Sequence, residues 1–283
     1  MLTIGESSIN TFCPETGEST KKKNTEIRKS QAVPVSSYFD LVTKVAQLQY
    51  SNRDYVLLFR GQKEDYKNAH KNTSIKPTIF RSQKGNPSSE DLRKKFDKLD
   101  RAERELVEEY RQRQLPRSKE ISKRQILRWS ILQHYEICET PLLDVTHSLR
   151  IAASFASDHS GNTGYIFVLG VPNISGAITA SAEAEIQIVR LASVCPPQAM
   201  RPHIQEGYLL GEYPDIRSYE QKQLYQAHEV DFGKRLVAKF VFQKNEFWNN
   251  ALFPIIERQA LYPQGDPMTE IADAITSKLE EHS

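Results

Sequence analysis

Leu57-Leu58-Phe59-Arg60-Gly61-Gln62, read together with Gln133-His134-Tyr135 and Leu142-Leu143-Asp144-Val145-Thr146-His147-Ser148, decides the fold of this 283-residue chain. Tyr55 to Phe59 is an apolar run of strand length. Arg60 closes it, where a strand hands a side chain to a cleft. Leu142-Leu143 is short and strand-like, and Ser148 to Ser157 reads as a helix with Ser148 as its cap. Outward from these segments, Ser36-Ser37 start a helix to about Leu48. Ser88-Ser89-Glu90 start a long charged helix to about Leu115, which Pro116 ends. A further helix runs from about Glu120 to Tyr135. Gly164–Val171, Ile186–Leu191 and Leu236–Phe242 read as strands, and Asn245 to about Leu261 and Thr269–Glu281 as closing helices. Strands and helices alternate irregularly, without repeated βαβ units. The pattern therefore predicts an α+β fold over a doubly wound parallel sheet.

Residues 1–33 mix Ser, Thr, Lys and Glu with few large apolar groups, which predicts a mobile N-terminal arm. Residues 34–283 are expected to form a single domain. A hydrophobic share of 39% beside 26% charged residues fits a globular protein with much charged surface. The net charge of +2 argues neither for nor against nucleic acid. Three scattered cysteines (Cys13, Cys138 and Cys195) form no CxxC pair, so a zinc site of ordinary spacing is not expected, and a reducing compartment is. No apolar run has membrane-helix length, no signal peptide is recognisable, and a cytoplasmic location is the default expectation. Between Arg93 and Arg128 basic residues alternate with acidic ones at helical spacing. That favours a solvated face over a nucleic-acid surface.

Arg60-Gly61 can offer a planar fork to a phosphate or carboxylate, with Gly61 allowing a sharp turn and a close ligand approach. A surface ion pair followed by a turn glycine accounts for the same residues. His134-Tyr135 closes a helix, where the helix dipole favours a cationic histidine that can orient a ligand or carry protons. Bonding of local carbonyls is the plainer reading. Asp144, Thr146 and Ser148 sit at a strand-to-helix junction whose backbone N–H groups favour anions, so the two hydroxyls suit a ribose or phosphate. Helix capping by Asp144 or Ser148 is compatible with that. Arg201 to Tyr208 puts Gln205, Glu206 and a glycine in one turn, where a carboxylate can polarise a ribose hydroxyl. A polar loop explains the turn as well. Asp144, His147 and Ser148 lie too close in sequence for a hydrolase triad, and no GxSxG, GxxxxGK[ST] or GxGxxG occurs.

Phe59-Arg60-Gly61 resembles the tripeptide that names the FRG domain family. Gln133-His134-Tyr135, Thr140-Pro141-Leu142-Leu143-Asp144-Val145-Thr146, Ala152 and Phe155-Ala156 resemble its central signature. Arg201, Gln205, Gly207 and Tyr208 resemble its later motif. Glu136 stands where the family often has Gly, and Val145 where Trp is common. The order of these segments also looks like the ADP-ribosyltransferase fold. That resemblance implies split antiparallel sheets with flanking helices, and NAD as the cofactor or substrate. It implies that Arg60 holds the NAD phosphates or ribose, that Thr146 and Ser148 support the nicotinamide ribose, and that Glu206 or Gln205 stabilises the oxocarbenium-like state. Gly61, His134, Tyr135 and Asp144 would complete the NAD-binding set. The expected activity is transfer of ADP-ribose to a macromolecular acceptor, or hydrolysis of NAD. The alternative is a non-catalytic module that binds a nucleotide or a protein. A toxin or defence role suits a small NAD-consuming protein, though no residue marks one.

Overall fold

The computed structural model describes residues 8–82 and 85–281. Its strands are β1 (Ser8–Phe12), β2 (Ser19–Lys23), β3 (Val33–Pro34), β4 (Val56–Gln62), β5 (Leu143–Thr146), β6 (Thr163–Val171), β7 (Ile178–Ser181), β8 (Ile186–Arg190), β9 (Gly207–Glu212) and β10 (Leu236–Gln243). The chain divides into two compact units. The first holds residues up to Ile75, with Val145–Ser175 and Asp231–Leu261. The second holds Lys76–Asp144, Gly176–Val230 and the chain from Tyr262.

In the first unit the strand order is β3-β10-β6-β4-β5. β3 runs parallel to β10, and the other pairs are antiparallel, so the sheet is mixed and the class α+β. β4 is a strand because Leu57, Leu58 and Phe59 are all buried between neighbours. It extends to Gln62, so Arg60-Gly61 lies within the strand, not at its end. The Leu149–Ser157 helix packs on β4 through Ile151, Ala152, Ala153 and Ala156, all buried. Alanines at the contact let the two backbones approach closely.

Residues 8–29 are built into this unit instead of forming an arm. β1 and β2 make an antiparallel hairpin, and the Asn24–Lys29 helix follows. Ile9, Phe12 and Ile27 are buried, Asn24 donates to the Gly233 and Leu236 carbonyls, and Arg28 pairs with Asp231 at 2.8 Å. A few well-placed apolar residues and two buried polar anchors suffice where overall composition is polar. The expected Asn245–Leu261 helix is two short ones, Lys244–Phe247 and Arg258–Leu261. Between them Arg150 holds the Pro254 carbonyl, and Ile256 donates to Ser154 Oγ.

The second unit has its own core, built on the Ser89–Gln112 helix. Leu92, Phe96, Leu99, Leu106 and Tyr110 recur at helical spacing on its buried side. Ser88 caps its start with Asp91 in a reciprocal capping box. The Pro267–Glu281 helix packs against it through Met268, Ile271, Ile275 and Leu279. The expected Glu120–Tyr135 helix breaks at Arg124 into Ser118–Lys123 and Gln125–His134. Arg128 compensates by donating to the carbonyls of Ile121 and Ser122 and to Glu103. β9, β8 and β7 form an antiparallel meander in this unit. Among the described residues no helix is long and apolar enough to cross a membrane.

Candidate functional site

The sequence-selected residues fall into two sets, one in each unit. The first set is Arg60, Gly61, Thr146 and Ser148. Register decides where these side chains go, because directly paired residues share a face and neighbours along a strand alternate. Phe59 pairs with Val168 and Thr146, whereas Arg60 pairs with Phe167, and Phe167 with Lys239. Gly61 faces the Leu149–Ser157 helix. A Cβ on it would overlap the Ala152 carbonyl oxygen and stand 2.7 Å from the Ala156 nitrogen. Gly61 is therefore neither a turn nor a ligand contact on that side. It is the place where strand and helix backbones touch. Phe59 and Thr146 share this helix-side face, and Arg60 takes the opposite one.

On Arg60's face lies a buried polar cluster that the sequence did not suggest. Lys239, 1% exposed, donates to Asp65 at 2.8 Å and to Thr73 Oγ1 at 2.7 Å. Lys67 also pairs with Asp65, at 2.7 Å. Burial, with Lys67 alongside, outweighs the attraction of Asp65 and pulls the Lys239 ammonium down to about 8. An alternating small or polar and apolar pattern in β10 had marked it only as a strand.

At the junction after β5, Thr146 Oγ1 accepts the Ser148 N–H at 3.0 Å. Ser148 occupies the N-cap position of the Leu149–Ser157 helix, yet its hydroxyl makes no cap bond. Thr146 thus supplies a side-chain oxygen that orders this turn.

The second set is His134, Tyr135, Asp144, Gln205 and Glu206. His134 Nδ1 lies 3.6 Å from Asp144 Oδ1, and Gln133 donates to Asp144 Oδ2 at 2.6 Å. Tyr135 donates its hydroxyl to Asp266 at 2.9 Å, and burial together with that carboxylate pushes the phenol well above its usual range. Arg201 lies over the Tyr135 and Tyr262 rings, at 5.2 and 4.8 Å. Asp266 also accepts the Met200, Arg201 and Met268 N–H groups. The sequence reading passed over Asp266, although Gly265-Asp266-Pro267 before an apolar periodic run is a helix-start signal. Gln205 is buried, whereas Glu206 is exposed with a left-handed φ of 45° between the short Arg201–Ile204 helix and β9. Gly207 stands beside the imidazole, since a Cβ there would lie 3.5 Å from His134 Cε1 and 2.7 Å from Leu191 Cδ1.

Residues 56–163 match the family model of the FRG domain. The chain carries an FRG domain. The match begins at the first residue of β4 and ends at the first of β6, so it takes in Arg60, His134, Asp144 and Thr146. The tripeptide that names the FRG domain is thus a central stretch of β4, with its glycine under a helix. No curated protein and no solved structure matches the chain.

An open groove of about 580 Å³ in the second unit, with Asp100, Glu103, Arg104, Glu108, Arg111 and Arg128 among its lining residues, includes none of these candidates. Its charges are largely engaged with one another: Glu103 accepts from Gln125, Arg128 and Trp129, and Arg111 pairs with Glu108. Among the described residues no group of His, Cys, Asp and Glu side chains is placed to hold a metal ion. The three cysteines are free, and burial pushes the Cys138 and Cys195 thiols up to about 12, out of the nucleophilic range near neutrality.

Proposed function

We propose that this FRG-domain protein binds NAD, and either transfers its ADP-ribose to a macromolecular acceptor or hydrolyses it. In this reading its α+β architecture is a relative of the ADP-ribosyltransferase fold. The observation that carries the proposal is Arg60. It is partly buried on a strand pinned on both sides, so its guanidinium is presented from a rigid backbone. A fork held this way loses little freedom when it takes two oxygens of a pyrophosphate. Ser148 supports the reading, because its hydroxyl stands at a helix N-terminus without being spent on a cap. Thr146 Oγ1, which accepts the Ser148 N–H, places a second hydroxyl at the same strand-to-helix junction. Cleavage of the nicotinamide–ribose bond then requires charge stabilisation at the ribose and exclusion of bulk water.

One observation favours the second reading, a non-catalytic nucleotide- or protein-binding module. Glu206 is exposed, and a hydrated carboxylate stabilises a developing cation weakly. Nicotinamide release from NAD tests both readings, with Arg60→Ala and Glu206→Gln as variants. Release that disappears in Arg60→Ala while the protein stays folded supports NAD chemistry. Loss of turnover with retained NAD binding in Glu206→Gln identifies an enzyme. Wild-type NAD binding without release, little changed by Glu206→Gln, identifies a module. Neither binding nor release by the wild-type protein refutes the NAD assignment.

A further inference from the structure

His134 is placed as reactive imidazoles are placed, not as packed ones are. It closes the Gln125–His134 helix, and its side chain is only 4% exposed. A relay of polar groups leads to one end of the ring. Thr140 Oγ1 and Thr78 Oγ1 donate to Gln133 Oε1, at 2.6 and 3.3 Å. Two hydroxyls on that oxygen fix the amide's orientation, so its nitrogen points to Asp144. Asp144 in turn faces Nδ1. At the other end of the ring Nε2 is buried and has no hydrogen-bond partner among the described residues. Leaving such a group unsatisfied is costly, and buried polar groups in native proteins are nearly all hydrogen-bonded.

We propose that His134 Nε2 is a proton acceptor that receives the O–H of a small neutral ligand. Asp144, Gln133 and Thr140 are its positioning residues. The Asp144 carboxylate 3.6 Å from Nδ1 favours the tautomer with its proton on Nδ1 and the lone pair on Nε2. The same carboxylate disfavours an anionic ligand. Tyr135, whose ring lies edge-on at 5.7 Å, brings no charge, because its hydroxyl is held neutral and donates to Asp266. The glycine of the later motif, Gly207, brings its backbone close to Cε1, packed against the apolar Leu191 side chain. This joins two sequence motifs at one ring, lies wholly within the second unit, and stands whether or not NAD binds at Arg60.

Diethyl pyrocarbonate is the probe, since it acylates an unprotonated imidazole nitrogen that a small molecule can reach. Peptide mapping after brief exposure resolves the seven histidines. The expected result is modification of His134, slower than that of exposed His203. Asp144→Asn should slow it about tenfold without affecting His203, and Asp144→Glu should recover much of the rate. Thr140→Val, which cuts the relay without changing charge, should act in the same direction and serves if Asp144→Asn does not fold. A folded protein in which His203 reacts and His134 does not would overturn the proposal and leave an internal water as the partner of Nε2. An unchanged His134 rate in both relay variants would overturn it as well.

Discussion

Replacing Gly61 by alanine adds one methyl group at the closest approach of a strand and a helix. The added carbon would overlap the Ala152 carbonyl oxygen and lie 2.7 Å from the Ala156 nitrogen and 2.9 Å from the Ala152 carbonyl carbon, where ordinary contact begins near 3.4 Å. All three atoms are backbone, so no side-chain rotamer relieves the clash. To clear the Ala152 carbonyl oxygen the Leu149–Ser157 helix must retreat by more than about 1 Å, loosening the buried Ile151, Ala152, Ala153 and Ala156 against β4. Overpacking typically costs about 1–3 kcal/mol, and an unyielding partner puts this site at or above the upper end. For a chain of this size that corresponds to a fall in Tm of roughly 6–12 °C. Thermal unfolding followed by circular dichroism measures it, with Gln62→Ala on the same strand as the control. A fall of less than about 2 °C would refute the claim that Gly61 is set by packing, and would return it to a ligand-facing role.

Two further outcomes follow from the same packing and electrostatics. Gly164→Ala should also destabilise, but here the obstacle is the Phe242 ring, whose Cε1 and Cε2 would stand 2.9 Å from the new methyl. Gly164→Ala combined with Phe242→Leu should then be more stable than the sum of the single effects by about 0.5–3 kcal/mol, and additive denaturation energies would count against this geometry. Lys239 has a folded-state value near 8 against 10.5 when unperturbed, so its charged form is the costly one in the fold. Its contribution to stability should rise as pH climbs from about 8 towards about 10.5. Urea unfolding near pH 7 and near pH 9.5 should show that rise in the wild type and a smaller one in Lys239→Met; equal rises would dismiss it.

How much of this was legible in the sequence depended on whether the cause was local. The Ser89–Gln112 helix could be read because its cap and its apolar spacing both lie within the segment. β2 could not, because Ser19-Thr20-Lys21-Lys22-Lys23 carries no apolar alternation, and its strand form comes from pairing with β1. The break at Arg124 was hidden because apolar residues continue on both sides of it, while the groups that make it tolerable, Arg128 and Glu103, are brought in by the fold. Gln133, His134 and Asp144 stood out as a motif, but their mutual geometry depends on a turn that returns Asp144 to the end of the helix. Glu206 drew attention as the nearest carboxylate in the later motif. The left-handed backbone at that position instead buries Gln205 and exposes Glu206.

The tripeptide Phe59-Arg60-Gly61 separates two demands that a linear reading merges. In a strand, positions one apart face opposite ways. Phe59 and Gly61 therefore answer to the Leu149–Ser157 helix, one by filling space and the other by leaving it. Arg60 is released from that contact and belongs to the face of Phe167 and Lys239. Substitutions at 59 and 61 should accordingly be read first in stability, and those at 60 first in ligand binding. A motif whose three positions all lowered Tm alike would instead be structural throughout, and Arg60 would lose its special standing. The distinction matters because a contiguous motif invites assignment of all its residues to one site. Here the fold itself divides the motif, with Phe59 and Gly61 on the helix side of the strand and Arg60 on the other.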